Sequence, residues 1–231
     1  MLITDVVFDL DGTIVTFNLD YKTVRVLVKN YLVNKGMPVS TLLLNESVFE
    51  MLQKTEIWAG KSDKTAQFIE EIRREVFAMT EEYELDAGST TNLLPGVVET
   101  IKALRKMGLK IGLCTINSEN SVNRILERFG IADLFDVVVS RNQVRHVKPD
   151  PEHLAAALRQ LDALPEETLV VGDSRVDMQS AKKLQAVAVG LPTGVSTMKQ
   201  LIDNGADYIV TSMADLPILV NQLRETCVKS R

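Results

Sequence analysis

An α/β fold with a parallel central sheet, interrupted by a separate helical domain, is what this sequence predicts. Short apolar, β-branched runs alternate with segments of helical periodicity over most of the chain. That alternation is broken once, by a long stretch that is helical throughout. Polar residues also cluster repeatedly where apolar runs end, as they do at the carboxyl edge of a parallel sheet.

The first run, ITDVVFDL at residues 3–10, is apolar on both alternating faces, as a strand covered by helices on both sides must be. From Pro95 the units recur: helical GVVETIKALRKMG, strand KIGLCT, helix ENSVNRILERFG, strand FDVVVS, helix PEHLAAALRQL, strand TLVVGD, helix VDMQSAKKLQ and strand AVAVGL. The last unit, ADYIVTSMADLPILVNQL, adds a strand and a closing helix whose start is signalled by Ser212 and Asp215. Right-handed crossovers stack such units into a three-layer, Rossmann-like sandwich.

Residues 17–91 form the interruption, so the expected division is a core of residues 1–16 and 92–231 with a helical cap domain of residues 17–91. Val24, Leu27, Val28, Tyr31 and Leu32 recur at helical intervals, as do Phe68, Ile69, Ile72, Val76 and Met79, and both stripes are expected to face the interior of a small bundle. TFNLD on entry and DAGSTTNLLPG on return serve as linkers. AGKS, residues 59–62, has the end of a phosphate-binding loop. It lacks the glycine five places before Gly60, where Thr55 stands, and a preceding strand, so a turn between cap helices is expected there.

Composition narrows the partners. The chain has 231 residues, 45% apolar and 25% charged, with a formal charge of -5, which argues against a nucleic-acid partner bound through a basic surface. No run approaches the roughly 20 apolar residues of a membrane helix, and no targeting segment is visible, so no membrane partner and a cytoplasmic location are expected. Two cysteines, Cys114 and Cys227, indicate neither a disulfide framework nor a thiolate metal site. A small molecule is the remaining kind of partner.

The strand ends say which kind. Asp9 and Asp11 follow the first strand, Thr115 closes IGLCT, Lys148 sits in VKPDP after the third strand, and Asp173 and Asp177 lie in VVGDSRVD. Each has an ordinary explanation alone, such as a turn or helix cap for the aspartates. In a parallel sheet, however, all four clusters share one edge and can meet in one crevice. Carboxylates with one ammonium and one hydroxyl suit a hard cation, and magnesium fits best because it keeps positions for water and phosphate oxygens. His146 and His153 lie in a polar loop and on a helix face and are expected at the surface. Three ionised aspartates, Asp9, Asp173 and Asp177, balance Mg²⁺ plus Lys148. A fourth carboxylate, Asp11, would leave the site negative before a phosphate arrived, so one carboxyl should hold a proton above the reference aspartate pKa of about 3.9. Asp9 is then the expected nucleophile and Asp11 the proton donor.

These motifs resemble the haloacid dehalogenase-like hydrolase superfamily, in particular its phosphoglycolate phosphatase-like members with a helical cap. The family's DxDGT stands at Asp9–Thr13, its strand-ending threonine at Thr115, its KPxP lysine at Lys148 and its GDxxxD at Gly172–Asp177; PGV at Pro95–Val97 and GADY at Gly205–Tyr208 are also in place. The resemblance implies a phosphatase for a small phosphorylated metabolite such as phosphoglycolate or a sugar phosphate. It implies that Asp9 forms an aspartyl-phosphate, while Asp11 protonates the leaving group and then activates water. Lys148 and Thr115 would bind the phosphoryl oxygens, with Leu10, Ile116 and Asn117 as further phosphate contacts. Magnesium would bridge Asp9, the Asp11 main-chain carbonyl and Asp173, with Asp177 in or beside its shell. The chain departs from the pattern at Thr16, where aspartate is common, at Ile116, where asparagine often follows the threonine, and at Val147, often glycine. A phosphosugar mutase shares the aspartyl-phosphate chemistry. A phospho-accepting signalling module is disfavoured by the Asp-x-Asp spacing and the insert, and a dehalogenase by the presence of Asp11.

Overall fold

The computed structural model describes residues 2–229, with side chains as far as Thr226; the Cys227 thiol lies outside the described residues. Two compact units are present. One comprises the chain through Asn18 together with the chain from Thr91 onward, and the other comprises Leu19–Thr90.

The first unit opens with β1 (Asp5–Phe8). The second unit follows, with helices α1 (Tyr21–Asn34), α2 (Val48–Lys61) and α3 (Ala66–Thr90). Asp20 caps α1 by accepting from the Thr23 N–H at 3.1 Å, and Ser47 with Glu50 forms a reciprocal capping box on α2. Val24, Val28, Leu32, Met51, Leu52, Ile72 and Val76 make the unit's own core. Leu27 departs from the expected stripe: it is exposed, because the buried line on α1 runs through Val24, Val28 and Leu32, spaced four apart, and Leu27 falls off it. α2 ends at Lys61 with Ser62 as its C-cap, so AGKS is a helix terminus.

The chain then alternates through α4 (Val97–Lys106), β2 (Lys110–Cys114), α5 (Glu119–Phe129), β3 (Val137–Val139), α6 (Pro151–Leu161), β4 (Thr168–Gly172), α7 (Arg175–Lys183), β5 (Val187–Gly190), α8 (Met198–Asp203), β6 (Tyr208–Ile209) and α9 (Leu216–Lys229). The strands pair in parallel throughout, in the order β3-β2-β1-β4-β5-β6, so the expected α/β sheet is what forms. α8 was not expected, since six residues are too few to display a helical period. Among the described residues, no helix is long and apolar enough to cross a membrane.

Alternation along the strands splits the core between the two sheet faces. Val6, Phe8, Ile111, Leu113, Leu169 and Val171 point to one side, and Val7, Cys114 and Val170 to the other. Each fully buried aliphatic side chain here contributes about 1.5–3 kcal/mol relative to exposure. Register matters more for function: Phe8 pairs with Leu113 on one side and Val171 on the other, so β1, β2 and β4 end level. Strand order reverses at β1, the place where open sheets leave a crevice at their carboxyl ends.

Two buried polar side chains depart from ordinary core chemistry. His153, expected at the surface, is wholly buried on α6, and burial pushes its pKa down to about 3, so it packs as a neutral ring. Asp5, on β1, is 2% exposed and takes a hydrogen bond from Thr4 Oγ1 at 2.6 Å, while its Oδ1 has no protein donor. Burial raises its pKa, against the hydrogen bond from Thr4. A carboxyl whose folded pKa is raised favours the fold below its unfolded pKa and loses that contribution as pH rises through the folded value. Asp5→Asn therefore raises the melting temperature near neutral pH by about a few degrees, with the gain shrinking near pH 4. Thermal unfolding across that range checks it, and an equal gain at every pH would contradict it.

Candidate active site

The end of β1 is built to place two carboxylates on different sides. The Asp9 N–H donates to Val171 O at 2.9 Å, extending the β1–β4 ladder by one residue. Leu10 O then accepts from the N–H groups of Thr13, Ile14 and Val15 at 3.3, 2.8 and 3.0 Å, which folds the chain sharply back. Gly12 sits in the turn at φ 79°, a left-handed conformation that favours glycine. The Leu10 side chain is wholly buried in the core.

Lys148, from the segment before α6, reaches under this turn. Its ammonium donates to Asp9 Oδ1 at 2.7 Å, Asp177 Oδ1 at 2.6 Å and the Cys114 carbonyl at 2.7 Å, using all three of its N–H bonds. Asp177 stands in the first turn of α7, where its Oδ2 also accepts from the Ser174 N–H at 3.2 Å and from the Ser174 hydroxyl. Asp173, at the end of β4, accepts from the Val195 N–H at 2.7 Å. Asp9, Asp173 and Asp177 each offer a carboxylate oxygen within 4.8 Å of the others, and all three are buried. This is an oxygen-donor set of the kind a hard divalent cation takes.

The electrostatics follow from three carboxylates sharing one ammonium. Burial pushes Asp9 up to about 6, with Lys148 pulling it down and Asp177 adding repulsion. Burial, then repulsion from Asp9 and Asp177, holds Asp173 well above the usual aspartate range. For Lys148 burial works against the charge, but Asp177 and Asp9 outweigh it and hold the ammonium on more tightly than in a free lysine. Cys114 contributes only its carbonyl: burial pushes its thiol up to about 12, so it stays protonated.

Across the crevice the other expected residues form a second group. Thr115 continues β2, its N–H donating to Val139 O at 3.0 Å, and its hydroxyl accepts from the Asn117 N–H at 3.2 Å. The Asn117 amide donates to Asp11 Oδ2 at 2.5 Å, so the Asp11 carboxylate engages Asn117 and is not part of the three-aspartate cluster. Ile116, half-buried, links Thr115 to Asn117.

Some contributors were not visible in the motifs. A methyl group on Gly194 would lie 2.0 Å from Asp173 Oδ2, and one on Gly12 would lie 2.6 Å from the same carboxylate, so both glycines make room for it. The Thr193 hydroxyl donates to Gly12 O and closes the loop after β5 onto the Asp-x-Asp turn. The available signal was PTGVST, a turn-forming stretch after a fifth strand end. Arg141, just past β3, is also wholly buried.

The chain matches known proteins over most of its length. The model of the haloacid dehalogenase-like hydrolase family matches residues 6–191. A pyrophosphatase PpaX from Bacillus mycoides is 32% identical over 223 residues, spanning 95% of this chain and 98% of the relative. Among solved structures, a HAD phosphatase from Thermococcus onnurineus is 25% identical, with TM-score 0.57 and coverage of 94% of this chain and 98% of that one. A protein described as a predicted phosphoglycolate phosphatase, from Haemophilus somnus, shares the fold at 23% identity and TM-score 0.61, covering 94% and 97%.

Lys148→Met keeps a similar volume but leaves the carboxylates facing one another. Removing one partner from a buried charge cluster costs about 3–5 kcal/mol. The raised carboxyls Asp9 and Asp173 favour the fold at low pH and lose that contribution as pH rises through about 6 for Asp9. The loss on substitution is therefore largest near neutral pH and smaller near pH 5. Urea unfolding in chelator at both pH values measures it, and a loss independent of pH would count against the charge imbalance.

Proposed function

The chain belongs to the haloacid dehalogenase-like hydrolase family, and from that premise we propose that it is a magnesium-dependent phosphatase for a small phosphate compound, with inorganic pyrophosphate as first candidate. The observation that carries this reading is the convergence of Asp9, Asp173 and Asp177 within 4.8 Å, around the buried Lys148, where strand order reverses.

Asp9 is the nucleophile. Its ionised carboxylate attacks phosphorus as the bond to the leaving oxygen breaks, and a water then attacks the aspartyl-phosphate to release phosphate. Asp11 gives its proton to the leaving oxygen and afterwards takes one from that water. Lys148, 2.7 Å from Asp9 Oδ1, sets a positive charge beside the phosphoryl oxygens, and Thr115 supplies a hydroxyl. The backbone N–H groups of Leu10 and Ile116 add donors to the same group. Asp9, Asp173, Asp177 and the Asp11 carbonyl would hold the magnesium, which supplies neutralising charge to the transferring group. The donor set supports that ion: its oxygens are all hard, and two of its carboxyls are driven toward protonation by burial and by repulsion from their neighbours, both of which a bound cation would offset.

Pyrophosphate comes first because the relative named a pyrophosphatase matches nearly the full length of both chains at 32% identity. Phosphoglycolate and sugar phosphates follow, on the pattern of the motifs. Wild-type protein and Asp9→Asn are to be compared on pyrophosphate, phosphoglycolate and an aryl phosphate, with and without magnesium. Wild type should turn over at least one of them only with the metal, and Asp9→Asn should lose about a thousandfold or more. Absence of metal-dependent turnover on all three would sink the reading. Because the carboxylates must shed protons to bind a cation, magnesium should raise the melting temperature more near pH 7.5 than near pH 5.5; a pH-independent rise would contradict the aspartate cluster as its site.

A further inference from the structure

We propose that Asn117 is a positioning residue for Asp11, and that Arg141 is the buried clamp that holds Asn117 in place. This rests on the phosphatase reading above and assigns to Asn117 a task other than phosphate contact.

The geometry is a relay of fixed groups. The Asn117 amide donates to Asp11 Oδ2 at 2.5 Å, and Asn117 is 4% exposed, so its side chain has little room to turn away. Its backbone is held at both ends: the N–H donates to Thr115 Oγ1 at 3.2 Å, and the carbonyl accepts from the Arg141 N–H at 3.2 Å. Arg141 Nη1 donates to the adjacent Ile116 carbonyl, also at 3.2 Å. A single residue from the end of β3 thus takes two consecutive carbonyls of the segment that follows β2. Arg141 is 1% exposed and is the largest side chain so deeply buried among the described residues. Burying a guanidinium is costly unless it is well hydrogen-bonded, and here its bond to Ile116 O adds to the backbone bond between Arg141 and Asn117 in fixing the loop that aims at Asp11.

A hydrogen bond on one carboxylate oxygen fixes the rotation of the whole group. With Oδ2 on Asn117, the orientation of Oδ1 is set by the same bond. For a proton donor this matters, because the proton must pass to the leaving oxygen while the P–O bond breaks and the bond from Asp9 to phosphorus forms. Misplacement of a catalytic group by about 1 Å can cost as much as about a hundredfold. The hydrogen bond from Asn117 goes to Asp11, and the three clustered carboxylates of Asp9, Asp173 and Asp177 do not include that residue, so removal of the amide leaves those three side chains in place.

The test is leaving-group dependence. Phenyl phosphate needs its leaving oxygen protonated, whereas dinitrophenyl phosphate releases a stable anion and needs no acid. Asn117→Ala and the isosteric Asn117→Asp are compared with wild type by kcat/KM, which covers the steps through departure of the leaving group. The expected result is a fall of about 30- to 100-fold on phenyl phosphate and of about threefold or less on dinitrophenyl phosphate. Arg141→Gln, which keeps a shorter donor, should give the same pattern more weakly. Melting temperatures identify a variant that fails to fold, and the isosteric substitution then carries the test. An equal fall on both esters, with a matching rise in the inhibition constant of inorganic phosphate, would mean that Asn117 binds phosphate and would overturn the positioning role. Unchanged rates on both would overturn it too. Hydrolysis of neither ester by wild-type protein, with no turnover of pyrophosphate or phosphoglycolate either, would instead defeat the phosphatase reading and this inference with it.

Discussion

Everything at the carboxyl edge of the sheet hangs on one buried ammonium. Lys148 joins the end of β1 through Asp9, the end of β2 through the Cys114 carbonyl, and the start of α7 through Asp177. Such a group repays its desolvation only when every N–H is well placed, and all three are. Yet the charge is not balanced, because three carboxylates face one cation. Burial pulls Asp9 and Asp173 upward, and repulsion among the carboxylates adds to it. A site made for stability alone would match its acids to its cations; this one keeps a standing deficit of positive charge, which is the basis for proposing a divalent ion there.

The convergence also depends on what is missing from the backbone. Asp173 lies between Gly12 and Gly194, and a side-chain carbon on either would overlap its carboxylate. Gly172, level with them, has the same relation to Asp177. Three strand-end loops approach closely enough for their carboxylates to share one volume only because these positions carry no Cβ. The conformational entropy lost at each glycine is offset by a site whose geometry is fixed before any ligand arrives.

How much of this could be foreseen depends on the range of the signal. Strands such as ITDVVFDL and TLVVGD carry their burial in a few consecutive letters, and the Asp-x-Asp and Gly-Asp-x-x-x-Asp patterns stand at their ends, so fold class and the main acids were legible. His153 was not: its position on α6 looks like any polar site on an amphipathic helix, and only the packing of α6 shows that the ring is enclosed. Arg141 was hidden for the opposite reason, since an arginine after a strand normally reaches solvent. Thr193 acts on Gly12 across 181 residues, and Gly194 makes room for Asp173 from another strand end, through contacts that no local pattern announces.

The order of the strands explains how two aspartates, separated by a single residue, can do different work. β1 lies between β2 and β4, so the turn after it has two neighbours to face. Asp9 turns toward the β4 side, where Asp173, Asp177 and Lys148 lie around it, the setting on which its proposed role as nucleophile rests. Asp11, carried past Leu10 into the turn at Gly12, meets Asn117 on the β2 side. Identical side chains acquire distinct roles when their surroundings differ, as acid and base pairs in one site require. Here the difference is made by topology: a sheet in which β1 stood at an edge would offer only one such neighbour, and both carboxylates would compete for the same surroundings.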